Sequence, residues 1–128
     1  MKLDVENVLN TLTDCTVDVL GIDEDMINWG DCFVWADAAH TLFPDSKVVG
    51  TYNHCFIQMG DKYYDCHNPL GCFTLYQLGR GSETLREENT NEVLSFWRKE
   101  GASHGVEHWK LGAVEKILNE TLNVLTYS

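Results

Sequence analysis

The segment NHCFIQMGDKYYDCHN, residues 53–68, constrains the fold more than any other part of the chain. Residues typical of β-strands flank Gly60 and Asp61, a pair typical of a two-residue hairpin turn. Because side chains alternate along a strand, this turn places His54 and Asp65 on one face as diagonal neighbours. Their backbones are then roughly 7–8 Å apart, within reach of a side-chain hydrogen bond. A four-residue loop preserves this pairing, whereas a three-residue loop would separate the two side chains.

The same turn fixes the rest of the hairpin. The predicted register pairs Met59 with Lys62, Gln58 with Tyr63, Ile57 with Tyr64, Phe56 with Asp65, Cys55 with Cys66, and His54 with His67. Cys55 and Cys66 fall on the face opposite His54, where we interpret them as small buried apolar residues.

The segment NWGDCFVWADAA, residues 28–39, predicts a helix from about Asp31 to Leu42 that places Cys32 in its first turn. Alanines favour the helix and Pro44 ends it. Unpaired N–H groups and the helix dipole favour a thiolate at this position. The competing interpretation is a core thiol packed by neighbouring aromatic side chains.

The remaining elements indicate a single α+β domain spanning residues 1–128, with helices around a small antiparallel sheet. Predicted helices cover residues 3–13, 91–100 and 106–125, and residues 14–28 are either a strand and a loop or a loop and one helical turn. Residues 47–59 predict two strands interrupted near Gly50 or Tyr52-Asn53, and residues 73–78 a further strand.

Cys32, His54 and Asp65 together match the requirements of nucleophilic catalysis. A thiolate attacks, an imidazole takes and returns the proton, and a carboxylate holds the imidazole in the correct tautomer. The candidates for oxyanion or substrate contacts are the backbone N–H of Cys32, the side chain of Asn28, and Trp29. This chemistry requires no cofactor and no metal.

The order of these residues resembles the papain-like superfamily, and within it the transglutaminase-like branch. Gly30, Cys32, Trp35 and Ala36 resemble its glycine-x-cysteine segment with a following aromatic-alanine pair, and His54, Phe56, Tyr64 and Asp65 resemble its histidine and aspartate strands. The resemblance covers residues 28–69. Phe56 stands where that family usually has tryptophan. The resemblance implies a papain-like core in which Cys32 is the nucleophile, His54 the base and Asp65 the orienting acid. It further implies thioester chemistry on the amide bonds of peptides or proteins, as hydrolysis or acyl transfer.

Composition limits the partners and the compartment. The chain carries 20 acidic and 9 basic residues, a formal net charge of −11, which disfavours nucleic-acid binding. The N-terminal segment does not resemble a secretory signal, and no apolar run is long enough to span a membrane. Five cysteines cannot all pair, so we expect free thiols in a reducing cytoplasm.

Two alternatives to the enzyme remain open. The acidic charge and small size also suit a non-catalytic module that occupies a basic partner protein. Cys66, His67 and Cys72, with His54 and Cys55 nearby, are residue types that zinc binds, although no C-x-x-C pair is present. His67 is a second candidate for the base, and His104 and His108 are assigned to the start of the last helix.

Overall fold

The structure, a computed structural model, describes residues 4–127. Over these residues, five helices of eight residues or more and a three-stranded antiparallel sheet confirm the predicted α+β class. The helices are α1 (Val5–Leu20), the single turn α2 (Glu24–Met26), α3 (Cys32–Leu42), α4 (Thr90–Glu100), α5 (Ser103–Lys110) and α6 (Ala113–Tyr127). The strands are β1 (Lys47–Gly50), β2 (Cys55–Met59) and β3 (Lys62–Tyr64).

Helix α1 is longer than the sequence pattern predicts. The Asp4 side chain caps its first turn, and Gly21, at a φ of 66°, ends it seven residues beyond the predicted boundary. The prediction of a loop or strand beyond residue 13 is wrong because Val17 and Leu20 pack against the core and continue the helical spacing. The predicted start at residue 3 lies outside the described residues.

The hairpin has the predicted register. Ile57 pairs with Tyr64, and Met59 pairs with Lys62 across the turn. The ladder ends at Tyr64, so the predicted pairs beyond it are not part of the strand. β1 pairs antiparallel with β2 after an irregular stretch at residues 51–54, which confirms the predicted interruption.

The predicted strand at residues 73–78 is wrong. The segment forms turns in which Gln77 Oε1 accepts a hydrogen bond from the backbone N–H of Phe73, and Leu75 and Leu78 fold down on the sheet. Only Cys72, just before it, makes an isolated bridge to Tyr63. Leu78, which is buried, and Leu75, which is partly buried, cover the sheet without strand pairing.

The predicted last helix is divided into α5 and α6. The division falls at Leu111 and Gly112, where glycine adopts a φ of 80°. Helix α4 is confirmed almost to the residue, and its Val93, Leu94 and Trp97 are buried as predicted.

Helix α3 lies at the centre of the core. Its buried side chains pack between helices α1 and α6 on one side and the Cys55–Ile57 face of β2 on the other. The second face of the sheet is covered by the turns of residues 72–85, through a smaller cluster of Val49, Phe56 and Leu78. None of the helices in residues 4–127 has the length and apolar character needed to cross a membrane.

Candidate functional site

The hairpin brings His54 and Asp65 into direct contact. His54 Nε2 lies 2.9 Å from Asp65 Oδ2, and both side chains are almost completely buried. This contact confirms the diagonal pairing predicted from the two-residue turn. Because a carboxylate only accepts, Nε2 carries the proton and donates it to Asp65.

Asp65 is held ionised by its neighbours. Burial alone would raise the pKa of Asp65, but hydrogen bonds from His54, Asn68 and the backbone N–H of His67 outweigh burial and lower the pKa. Asp65 Oδ1 accepts from Asn68 Nδ2 at 2.7 Å and from the His67 N–H at 3.0 Å. The carboxylate is thus fixed at the end of β3 by the turn that follows it.

The His54 imidazole has one nitrogen without a partner. Its ring stacks on Phe56 with centroids 5.4 Å apart, and Thr51 Oγ1 accepts the His54 backbone N–H. Nδ1 is buried and has no hydrogen-bond partner among the described residues. With the proton on Nε2, Nδ1 presents a free lone pair, which is the form that a general base requires.

Cys32 is the first residue of α3 and follows an irregular turn, Ile27–Asp31. Gly30 in this turn has a φ of 145°, and a Cβ there would collide with the His104 ring. A glycine is therefore required just before the cysteine, both for the backbone conformation and for the close approach of α5.

The Cys32 thiol is not acidic in this structure, contrary to the expectation from its place at a helix amino end. Burial raises the pKa of Cys32 to about 11, although hydrogen bonds from the backbone N–H groups of Cys55 and Phe33 act to lower it. The positive charge of Arg80 also favours the thiolate, and Asp31 opposes it. The resting thiol is therefore protonated at neutral pH because desolvation outweighs the local N–H groups.

The described residues show no contact between the Cys32 thiol and the His54 ring: Cys32 packs with Cys55 in the main core, whereas His54 stacks on Phe56. The Cys32 sulfur contacts the backbone N–H of Cys55, the residue that follows His54. Within residues 4–127, Nδ1 of His54 accepts no hydrogen bond from the thiol. The structure thus forms the imidazole–carboxylate pair directly, and its link to Cys32 is the Cys55 backbone, which follows His54 in the chain.

Cys32 is one of the residues that line a surface cleft of about 220 Å³, whereas His54 and Asp65 are not among them. The lining residues come from the irregular turn, the β1–β2 loop and the α4–α5 region: Asn28, Trp29, Gly30, Cys32, Tyr52, Asn53, Trp97 and Ala102. Trp29 and Tyr52 are 76% and 70% exposed at its rim, whereas Cys32 is 2% exposed. The cleft therefore combines a buried thiol with two accessible aromatic side chains.

Asn28 and Trp29, the predicted oxyanion or substrate residues, both line this cleft. Asn28 Oδ1 accepts a hydrogen bond from the Cys66 thiol at 3.3 Å. The oxygen of the Asn28 side-chain amide therefore faces Cys66, and its Nδ2 donor is left for another partner.

The other predicted candidates are not brought to Cys32. His67, the second candidate for the base, is exposed and pairs with the carboxylates of Glu24 and Asp25 at 3.2 and 3.4 Å. The residues that the sequence offered as zinc ligands do not form a group either, because Cys66 contacts Asn28 and Cys72 contacts Asn68.

Sequence reasoning missed one cluster beside the site. His104 and His108 of α5 both contact the carboxylate of Asp31, the residue before Cys32. Their spacing of four residues on a helix is the signal that places both rings on one face.

Comparison with protein-family models, curated proteins and solved structures found no match to this chain.

Proposed function

We propose that this protein is a cysteine-dependent hydrolase or acyl transferase that acts on amide bonds of peptides or proteins, on a papain-like core. The observation that carries the proposal is the buried His54–Asp65 pair, 2.9 Å apart, together with a buried cysteine that lines a surface cleft and contacts the backbone N–H of Cys55. In this proposal Cys32 is the nucleophile, His54 the general base and acid, and Asp65 the residue that holds the His54 tautomer.

The proposed reaction begins with a protonated thiol. A change of side-chain rotamer brings the Cys32 S–H to His54 Nδ1, which takes the proton as the sulfur attacks the carbonyl carbon. The proposal requires that the hydrogen bond between Cys32 and His54 forms only around substrate, as catalytic hydrogen bonds commonly do. Asp65 stabilises the imidazolium that forms.

The proton then returns to the leaving group. The amide C–N bond breaks, His54 gives the proton to the departing amine, and the acyl group remains on Cys32 as a thioester. Water or a second amine attacks the thioester and restores the thiol. The backbone N–H of Cys32 and the free Nδ2 of Asn28 are the proposed donors to the oxyanion.

The rim of the cleft supports a peptide substrate. Trp29 and Tyr52 are exposed aromatic side chains on either side of the approach to Cys32, and such side chains contribute large contact areas to recognition. The net charge of −11 favours a neutral or basic segment over an acidic one.

Site-resolved alkylation tests the assigned base. Native protein is treated with iodoacetamide at pH 7, quenched over time and analysed by peptide mass spectrometry for each cysteine. We expect His54→Gln to slow the labelling of Cys32 by about a hundredfold, at the lower end of general-base effects. Labelling of Cys72, a partly exposed thiol that is hydrogen-bonded to Asn68, should be unchanged and serves as the internal control.

The alkylation result has a clear contrary outcome. If Cys32 is labelled at the same rate in His54→Gln and in the unaltered protein, His54 does not activate the thiol. Far-UV circular dichroism of His54→Gln, together with the Cys72 rate, separates this outcome from unfolding.

A non-catalytic binding module is the second candidate. The pKa of Cys32 near 11 favours it, because a module with no catalytic role can keep a neutral buried thiol. In that case the acidic surface would hold a basic partner, and Cys32→Ala would bind the partner unchanged. Loss of binding in Cys32→Ala alone would contradict it.

A further inference from the structure

Asp31, His104 and His108 form a cluster outside the cysteine site. His108 Nδ1 lies 2.8 Å from Asp31 Oδ1, and His104 Nδ1 lies 3.2 Å from Asp31 Oδ2. One ligand atom from each of the three residues lies within 4.8 Å of the other two. Asp31 is completely buried, whereas the two histidines are partly exposed and offer a path from solvent.

The hydrogen bond that His104 makes leaves its other ring nitrogen bare and close to a carboxylate. His104 Nε2 lies 3.1 Å from the Trp29 carbonyl oxygen. A carbonyl only accepts, so Nε2 carries the proton and Nδ1 of the neutral ring is bare. That bare nitrogen lies beside Asp31 Oδ2, another lone-pair donor, so the contact is unfavourable unless a cation joins the two atoms.

Asp31 Oδ2 supplies an independent observation. It is buried and has no hydrogen-bond partner among the described residues, because its contact with His104 does not have the direction of a hydrogen bond. Asp31 Oδ1, by contrast, accepts a hydrogen bond from His108 Nδ1 at 2.8 Å, so a metal ion bound through that nitrogen would displace the proton. Buried carboxylate oxygens without a partner are costly, and coordination is one of the few ways to satisfy them.

We propose that Asp31, His104 and His108 bind a divalent zinc ion through one carboxylate oxygen and two imidazole nitrogens. Imidazole nitrogen and carboxylate oxygen are ordinary zinc ligands, at about 2.0–2.2 Å. Ligand atoms at tetrahedral angles are then about 3.3 Å apart, close to the 3.2 Å between His104 Nδ1 and Asp31 Oδ2. The 2.8 Å between His108 Nδ1 and Asp31 Oδ1 is shorter, because a proton joins those two atoms in the metal-free protein. The fourth position is left for water.

The surroundings of His104 resemble those of a metal ligand. Metal-binding histidines usually donate the second ring N–H to a carbonyl or carboxylate, and His104 donates to Trp29. Gly30 and Gly105 permit this approach, because a Cβ at either would collide with the opposite segment. The ion would join α5 to the irregular turn that carries Trp29, one wall of the cleft.

Zinc titration of protein stripped with a chelator tests the proposal, with a chromophoric chelator as competitor. We expect one zinc ion per chain, and a loss of affinity of about tenfold or more in His104→Gln and in His108→Gln. His40→Gln is the matched control, because His40 is also half-buried on a helix but is hydrogen-bonded to Ser46. His104→Gln and His108→Gln alter partly exposed rings and should keep the fold. Asp31→Asn alters a completely buried side chain and is therefore not used.

Cobalt substitution distinguishes this site from the thiols. We expect the visible bands of cobalt bound by nitrogen and oxygen, without the intense thiolate-to-cobalt charge-transfer band. Absence of stoichiometric binding would overturn the proposal and leave a proton as the cation between His104 and Asp31. Binding that shows the thiolate band, or that His104→Gln and His108→Gln leave unchanged, would overturn it as well.

Discussion

Replacing Asp65 with asparagine tests the pairing on which the site is built. Asp65 Oδ2 accepts from His54 Nε2, and Oδ1 accepts from Asn68 Nδ2 and from the His67 N–H. An asparagine has one acceptor and one donor end. If its NH2 group faces Asn68 and His67, both of those contacts are lost. If the NH2 group faces His54, the contact is kept only with the imidazole proton on Nδ1, and in both orientations the acceptor is no longer charged.

The size of the effect follows from the burial of the pair. A hydrogen bond to a charged group contributes about 1.5–3 kcal/mol, and the side chains of His54 and Asp65 are 0% and 3% exposed, so solvent screens little of it. We therefore expect Asp65→Asn to lower the free energy of unfolding by about 1.5–3 kcal/mol at pH 7. The control is Asp61→Asn, at an exposed turn position, which should change it by less than about 0.5 kcal/mol.

The loss should depend on pH in a defined direction. The pKa of Asp65 is lowered in the folded state, against about 3.9 in the unfolded chain. Its stabilisation is therefore complete above the unfolded pKa and is lost as the pH falls through the folded pKa. Urea unfolding followed by tryptophan fluorescence should give a difference between Asp65→Asn and the unaltered protein that narrows as the pH falls below about 4. A difference that is constant from pH 7 to pH 3, or no larger than that of Asp61→Asn, would refute the reasoning.

Three further substitutions, one of them a control, test the packing around the site. Phe56→Ala should lower the free energy of unfolding by about 3–5 kcal/mol in the same assay, because the ring is fully buried against Tyr63. Phe73→Ala, with a side chain 57% exposed, should cost less than about 0.5 kcal/mol, and equal losses would contradict the assigned core. Gly30→Ala should lower the melting temperature by an amount equivalent to about 1–3 kcal/mol, since its φ is 145° and a Cβ would collide with His104. An unchanged melting temperature in calorimetry would show that the turn before Cys32 is not constrained as described.

The sequence predicts those parts of the fold that a regular spacing of apolar residues or a single tight turn determines. The two-residue turn at Gly60 and Asp61 fixes the hairpin register, and that register alone places His54 beside Asp65. The alanines of α3 and the apolar spacing of α4 identify those helices within a residue of their ends. In each case local propensity and burial agree.

The remainder depends on tertiary contacts that no local pattern contains. Leu75 and Leu78 cover the sheet from turns rather than from a strand, and Gly112 divides what the apolar stripe presents as one helix. The raised pKa of Cys32 is of the same kind. The helix position predicts a lower pKa, but the packing of α3 against β2 buries the sulfur and reverses the direction.

Acyl-enzyme trapping tests the central claim, that Cys32 forms a thioester with the help of His54. The protein is mixed with p-nitrophenyl acetate, quenched in acid, digested and analysed by mass spectrometry. The account predicts a single acetyl group on Cys32 that is absent in Cys32→Ser and strongly reduced in His54→Gln. No acetylation of Cys32, or acetyl groups distributed over the cysteines irrespective of His54, would contradict it.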